Sequence, residues 1–385
     1  MTDGPSFPAQ RKGRILTPEA PGLRQLEAIL QAGLQIRARQ SAESPVAAGE
    51  GPAHILACET SGSSGRQKVI LRRAASWLAS FAVTRRSHGV GPGDRYAALG
   101  SLGHSISLYA MLEGRTLGAD LALLHGMSPR RQAQALRDLD VTTLYATPTQ
   151  LRLLWLGARA AGIEALPKLR LVVMGGGPCP ATLWDWTARL CPAATLRHFY
   201  GTSETSFISW SDAATPAGSV GRAYPGVDLK LDESGLIWVS SPYLFEGYEG
   251  DNAPKPQWKG RFLATGEIGR MDALGCLFLR GRADRMVTVA DKNVFLDEVE
   301  AVLSEDPEVT LCAVIGQPDT RRGHSLICVV QGTDSPGTEQ RLRRLCRQAL
   351  GPEAVPHRIV FVDGIPLLPA GKPDLVRLAR QMDTL

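Results

Sequence analysis

Between residues 74 and 200, short apolar runs at 96–99, 142–146, 169–174 and 196–200 alternate with stretches whose apolar residues recur at helical spacing. Helices interleaved with short apolar strands imply a layered α/β fold built on a mainly parallel sheet, because a parallel pair needs a crossover helix. Ligands of such sheets sit at the carboxyl ends of the strands. Two of those ends carry unusual sequences. Gly175-Gly176-Gly177-Pro178 follows the run ending at Met174, and Gly201-Thr202-Ser203-Glu204-Thr205 follows Tyr200. Both are expected to face one crevice.

A third element is expected at the same crevice. Thr60-Ser61-Gly62-Ser63-Ser64-Gly65-Arg66-Gln67-Lys68 combines hydroxyls, two glycines and a lysine between apolar runs at 54–58 and 69–71. Glycines let successive N–H groups turn toward one anion, hydroxyls add donors, and the lysine adds a charge. This predicts a polyphosphate loop between two strands. A Walker loop is excluded, since Lys68 is followed by Val69-Ile70 and not by Ser or Thr opening a helix. A plain Gly/Ser surface loop is the competing interpretation of this stretch taken alone.

The remaining chain divides as follows. Residues 22–38 carry Leu23, Leu26, Ile29, Leu30 and Leu34 at helical spacing, predicting one amphipathic helix, and 41–52 reads as a linker of small residues. Between 218 and 279 glycine and proline recur among short runs, predicting a small β meander or barrel. Beyond Asp284, strand-like runs at 287–289, 310–315 and 325–330 and helix-like runs at 296–303 and 339–350 predict a separate α+β domain of about a hundred residues.

At 385 residues the chain suits a large domain plus a smaller one. Its 44% apolar and 21% charged residues exclude disordered and fibrous classes. The net charge of +5 is dispersed, unlike the basic stripe of a nucleic-acid binder, and suits an anionic substrate. Seven cysteines form neither a CxxC pair nor a Cys/His cluster, so reduced buried thiols are expected. The polar first fourteen residues do not read as a secretory signal, and no apolar run is long enough to span a bilayer. A cytoplasmic protein without nucleic-acid or membrane partners is the expectation.

Taken together these motifs resemble the adenylate-forming (AMP-binding) superfamily of acyl-CoA synthetases, peptide-synthetase adenylation domains and luciferases. The resemblance runs from about residue 55 to the end. It is carried by Thr60 to Lys68, Gly175 to Pro178, Tyr200-Gly201-Thr202-Ser203-Glu204, Thr265-Gly266-Glu267, Gly281-Arg282-Ala283-Asp284 and Gly371-Lys372, in the family's order. It implies a shortened N-terminal AMP-binding domain over 1–283, with layered mostly parallel sheets and a small β-barrel, and a mobile C-terminal α+β domain over 285–385 hinged at Asp284.

The resemblance also implies roles. Thr60, Ser61, Gly62, Ser63, Ser64, Gly65 and Lys68 would hold the β- and γ-phosphates of ATP. Gly175, Gly176, Gly177 and Pro178 would form the adenine-binding strand end, and Tyr200, Gly201 and Thr202 would bind the nucleotide. Ser203 would bond the α-phosphate, Glu204 would bind Mg²⁺, and Glu267 with Arg282 would hold the ribose. Lys372 would bridge the attacking carboxylate and the phosphate, and His104 and Phe199 would line the acyl pocket. A packed core histidine is the alternative for His104.

Those roles imply an AMP-forming acid–thiol ligase that uses ATP, Mg²⁺ and coenzyme A. The motif set looks most like that of coumarate and benzoate ligases, and three glycines beside the pocket leave room for a flat ring, so an aromatic acid such as 4-coumarate is the expected substrate. A medium-chain fatty acid is the rival substrate. A carrier-protein phosphopantetheine is the rival acceptor, and a degenerate nucleotide-sensing module is the rival outside enzymes. Departures from the family are Gln67 for proline, Glu267 for aspartate, Asp291 for glycine and a short portion before the phosphate loop, implying either a compact variant completed by homo-oligomerisation or a weakened acyl pocket.

Overall fold

The computed structural model describes residues 4–41, 43–61, 67–250, 255–367 and 373–382. Helix α1 (Pro21–Gln31) opens the larger, N-terminal part and ends earlier than its apolar spacing predicts. Gly33 sits at φ 64°, its N–H reaches Leu30 O (3.2 Å), and Leu34 N–H reaches Ile29 O (3.1 Å). That is a Schellman stop, in which a left-handed glycine lets the last turn satisfy its carbonyls. The chain continues as strand β1 (Gln35–Ala38), and the supposed linker contains β2 (Val46–Gly49), antiparallel to β1. Their small residues gain strand geometry from the ladder and not from intrinsic propensity.

β3 (Ile55–Ser61) and β4 (Gln67–Arg73) form the predicted antiparallel hairpin, with Thr60 opposite Lys68. β1 runs parallel to β3, giving a first sheet whose other pairings are antiparallel.

The second sheet is the predicted parallel one. α2 (Ala74–His88), β5 (Arg95–Ala98), α3 (Ser105–Leu117), β6 (Asp120–Leu123), α4 (Pro129–Asp138), β7 (Thr143–Ala146), α5 (Pro148–Ala160), β8 (Leu171–Gly175), α6 (Ala181–Leu190) and β9 (Thr195–Tyr200) follow in chain order. β6, β5, β7, β8 and β9 lie side by side and parallel, and β10 (Ser209–Ser211) and β11 (Arg222–Ala223) extend the sheet antiparallel. Alternate residues bury opposite faces. Tyr96, Ala98, Leu121, Leu123, Tyr145, Leu171 and Val173 enter one core, and Ala97, Ala122, Leu144, Ala146, Val172 and Met174 enter the other. Turn chemistry sets the helix ends. Thr147 and Gln150 form a capping box on α5, and left-handed Gly89 and Gly118 close α2 and α3. The chain before α1 is clamped to this body by buried Arg115, which donates to Glu27 (2.9 Å) and to the Ala9 carbonyl (2.8 Å).

The glycine-rich region forms an antiparallel sheet from β12 (Asp228–Leu231), β13 (Leu236–Ser240), β15 (Trp258–Lys259), β16 (Phe262–Met271) and β17 (Leu277–Arg282). β14 (Gly247–Tyr248) leaves it to pair with β4 at the edge of the first sheet. The smaller C-terminal part has its own core, with β18 (Met286–Val289), β19 (Lys292–Phe295), α7 (Leu296–Leu303), β20 (Val309–Asp319), β21 (Gly323–Gly332), α8 (Thr338–Leu350), β22 (Arg358–Val362) and α9 (Leu375–Met382). Among the described residues no helix is long and apolar enough to cross a membrane.

The first core contains a fully buried carboxyl, Glu113 of α3, which accepts from the hydroxyls of Tyr145 (2.5 Å), Tyr96 (3.2 Å) and Tyr109 (3.3 Å). Burial outweighs these bonds and pushes its pKa up to about 7. The folded state therefore binds this proton more tightly than the unfolded chain. The associated stability is complete below the ordinary carboxylate pKa and is lost as pH rises toward 7. Glu113→Gln is expected to gain about 2–3 kcal/mol over the wild type at pH 8 and nothing at pH 4.5. Urea unfolding of both proteins at the two pH values checks this, and a pH-independent difference would refute it. The comparison cancels the buried histidines, whose lowered pKa values give the opposite slope.

Candidate functional site

β8 and β9 are parallel neighbours, with Met174 opposite His198 and Gly175 opposite Phe199. Their following segments, Gly175 to Pro178 and Gly201 to Thr205, therefore leave the same edge of the sheet. His198, whose pKa burial lowers, has its Nε2 2.9 Å from the Gly177 carbonyl. A Cβ at Gly175 would collide with the Phe199 ring, so this glycine makes room for Phe199. Of the three glycines expected to leave space for a flat ring, only Gly176 and Gly177 are uncrowded, a Cβ at either meeting Thr147 or Pro148 at ordinary contact distance. Phe199 then packs on Phe207, with ring centroids 4.7 Å apart.

The loop after β9 is tied into a tight turn. A Cβ at Gly201 would strike the Ser206 carbonyl, Ser206 adopts φ 60°, and Thr205 Oγ1 accepts from Thr202 N–H (3.0 Å). This presents Ser203 and Glu204 at the tip. Arg72 of β4, 3% exposed, supports them from below, donating to Ser203 O (2.6 Å), Glu204 O (3.3 Å), Ser76 Oγ (3.2 Å) and Tyr243 O. Burial lowers its pKa to about 10. Phe245 N–H donates to Glu204 O (2.8 Å), and Tyr248 hydroxyl donates to Glu204 Oε1 (2.8 Å). The Lys68 ammonium lies 5.5 Å from the centre of the Tyr248 ring. The hairpin lysine and the Glu204 carboxylate thus meet at one tyrosine.

Tyr200 is buried and donates its hydroxyl to Glu267 of β16. Arg282, at the end of β17, makes a two-pronged bond to Asp284 (2.7 and 2.6 Å), and its charge is felt by Glu267 and Tyr248. Arg282 holds the Asp284 carboxyl below the usual range. His104 precedes α3 and is largely buried; burial and His125 lower its pKa. No hydrogen bond or ring contact ties it to the other sites among the described residues.

Gly62, Ser63, Ser64, Gly65, Gly371 and Lys372 lie outside the described residues. Among the described residues no group of three or more His, Cys, Asp and Glu could hold a metal ion. A magnesium ion held mainly by phosphates needs only one or two carboxylates, and Glu204, anchored through one oxygen, fits that demand. Sequence reasoning missed Arg72 and Tyr248. Arg72 sits in an ordinary strand run, and Tyr248 reaches the site only because β14 crosses to another sheet.

Residues 20–249 match the model of the AMP-binding enzyme family, and residues 298–372 match that of the AMP-binding enzyme C-terminal domain. The uncharacterised acyl-CoA ligase YhfT of Bacillus subtilis (strain 168) is 31% identical over 81% of this chain and 65% of its own length. A probable 2-succinylbenzoate–CoA ligase of Mycobacterium tuberculosis (strain CDC 1551 / Oshkosh) is 28% identical over 85% of this chain and 84% of its own. Amide bond synthetase McbA from Marinactinospora thermotolerans superposes with a TM-score of 0.75 at 28% identity, covering 88% of this chain and 72% of McbA. The chain spans about two thirds of the length of several curated relatives it matches. With both family models matched in order on this fold, the chain belongs to the AMP-binding enzyme family.

Proposed function

We propose that this protein activates a carboxylic acid with ATP and passes the acyl group to a thiol, as an AMP-forming acid–CoA ligase for an aromatic acid. The observation that carries the proposal is the meeting of Lys68, Glu204 and Tyr248 at the strand ends, with Tyr200–Glu267 and Arg282 beside them. In the first half-reaction a substrate carboxylate oxygen bonds to the α-phosphorus, and the bond to pyrophosphate breaks. Lys68 and the hairpin would take the β- and γ-phosphates, Ser203 would donate to the α-phosphate, and Glu204 would hold Mg²⁺, which neutralises phosphate charge. Arg282 would exchange Asp284 for the ribose. In the second half-reaction the thiol sulfur bonds to the acyl carbon, AMP departs with the bonding pair, and the thiol proton is lost. The C-terminal part would turn about Asp284 between the two.

The 2-succinylbenzoate and indoleacetate ligases among the relatives support an aromatic acid, with 4-coumarate a first candidate. Pyrophosphate release across aromatic and aliphatic acids, with and without coenzyme A, tests the proposal. Turnover with aromatic acids only when coenzyme A is present supports it, and no release with any acid refutes it.

One observation favours a different acceptor, such as a carrier-protein phosphopantetheine. The two-residue turn joining β18 to β19 holds Ala290 at φ 48° and Asp291 at φ 65°, and the family resemblance implies glycine at the second of these positions in coenzyme A ligases. Asp291→Gly is expected to stabilise the fold by about 1 kcal/mol, since a side chain is strained there. If Asp291 obstructs pantetheine, the same change raises coenzyme A-dependent turnover several-fold, on the order of 1 kcal/mol in barrier. Unchanged turnover would remove the obstruction argument.

A further inference from the structure

We infer that Tyr248 is a positioning residue for adenylation, a neutral spacer that holds the Glu204 carboxylate and the Lys68 ammonium in reach of one polyphosphate without letting them pair; this rests on the function proposed above. The geometry follows from the backbone. β14 runs antiparallel to β4 with Tyr248 opposite Ile70, so Lys68, two residues away on the same face, is its diagonal neighbour. Flanking bonds fix that register: Glu246 N–H to Leu71 O (2.8 Å) and Glu249 N–H to Val69 O (2.9 Å). The same segment secures the other partner twice, through Phe245 N–H to Glu204 O and Tyr248 hydroxyl to Glu204 Oε1, both 2.8 Å. Phe245 braces the tyrosine ring edge-on at 5.0 Å.

Lys68 and Glu204 form no direct ion pair among the described residues. A direct pair would neutralise the cation meant for phosphate and the carboxylate meant for the metal. The tyrosine engages both without adding charge, its ring face drawing the ammonium and its hydroxyl orienting the carboxylate. A hydrogen bond to a metal-binding carboxylate is worth roughly 10–100-fold in metal affinity, and a half-exposed cation–π contact a few-fold in binding.

Tyr248→Phe keeps the ring and loses the hydroxyl, whereas Tyr248→Leu loses both. Two readouts apply: the Mg²⁺ dependence of pyrophosphate release, and Mn²⁺ binding to the protein–ATP complex followed by electron paramagnetic resonance, which needs no turnover. Tyr248→Phe is expected to weaken Mn²⁺ binding and raise the half-saturating Mg²⁺ about tenfold, with KM for ATP nearly unchanged. Tyr248→Leu should add a rise of about threefold in KM for ATP. Both variants should thiolyse a supplied acyl-adenylate at the wild-type rate. Wild-type Mn²⁺ affinity in Tyr248→Phe, or equal loss in both half-reactions, would overturn the inference. If the wild type releases no pyrophosphate with any acid, the ligase proposal fails, and the Mn²⁺ titration still decides the role of Tyr248.

Discussion

Lys372→Ala is expected to slow acyl-adenylate formation by about 10²–10³-fold while leaving thiolysis of a supplied acyl-adenylate within about twofold of wild type. The first half-reaction brings an anionic carboxylate against an anionic phosphate, and a positioned cation between them stabilises charge that exists only in that transition state. The second half-reaction expels AMP from a neutral carbonyl and has no such need. Lys372 comes to this role through the family resemblance. The described chain on either side of it is anchored, with Leu367 bridged antiparallel to Pro373 and Asp374 N–H on Pro366 O (2.8 Å). Single-turnover pyrophosphate release and thiolysis, measured separately, check the split. Equal loss in both would end the assignment.

Arg72→Met is expected to cost about 3 kcal/mol of stability and to raise KM for ATP by at least tenfold, as the Ser203–Glu204 loop loses its support. Methionine fills the volume but leaves the carbonyls of Ser203 and Tyr243 without the donor that satisfied them in a dry site. Glu204 O retains Phe245 N–H and suffers less. Arg72→Lys should recover only part of either effect, because an ammonium cannot reproduce the planar fork that spans these acceptors. Urea midpoints and ATP kinetics for the pair decide it. Full activity in Arg72→Met would show that the loop holds its shape without the guanidinium.

Different parts of the molecule were legible to different degrees. The helix predicted over 296–303 coincides with α7, the parallel strands at 96–99, 142–146, 169–174 and 196–200 fall within two residues of those observed, and the hairpin around residues 60–68 is present with its first strand ending three residues later than its apolar run. Each carries its signal locally, in apolar period or in turn residues. β6 went unread because Asp-Leu-Ala-Leu is too short to show a period, and its strand character comes from pairing beside β5. The tail of the helix predicted over 22–38 was misread because Leu34 keeps the helical spacing past the left-handed Gly33, yet is left 46% exposed.

By itself the sequence determined the parallel strands β5, β7, β8 and β9 with helices between them, and the residue types placed at the ends of β8 and β9, since these follow from periodicity and from motifs with short spacing. Only the tertiary structure decided that Phe199 would fill the space over Gly175, that Arg72 would support the Glu204 loop, and that Tyr248 would stand between Lys68 and Glu204. Tyr248 is 180 residues from Lys68 and 44 from Glu204 along the chain. Contacts across such separations are fixed by which strand edge remains open to pair, a property of the assembled sheets that no local stretch of sequence encodes.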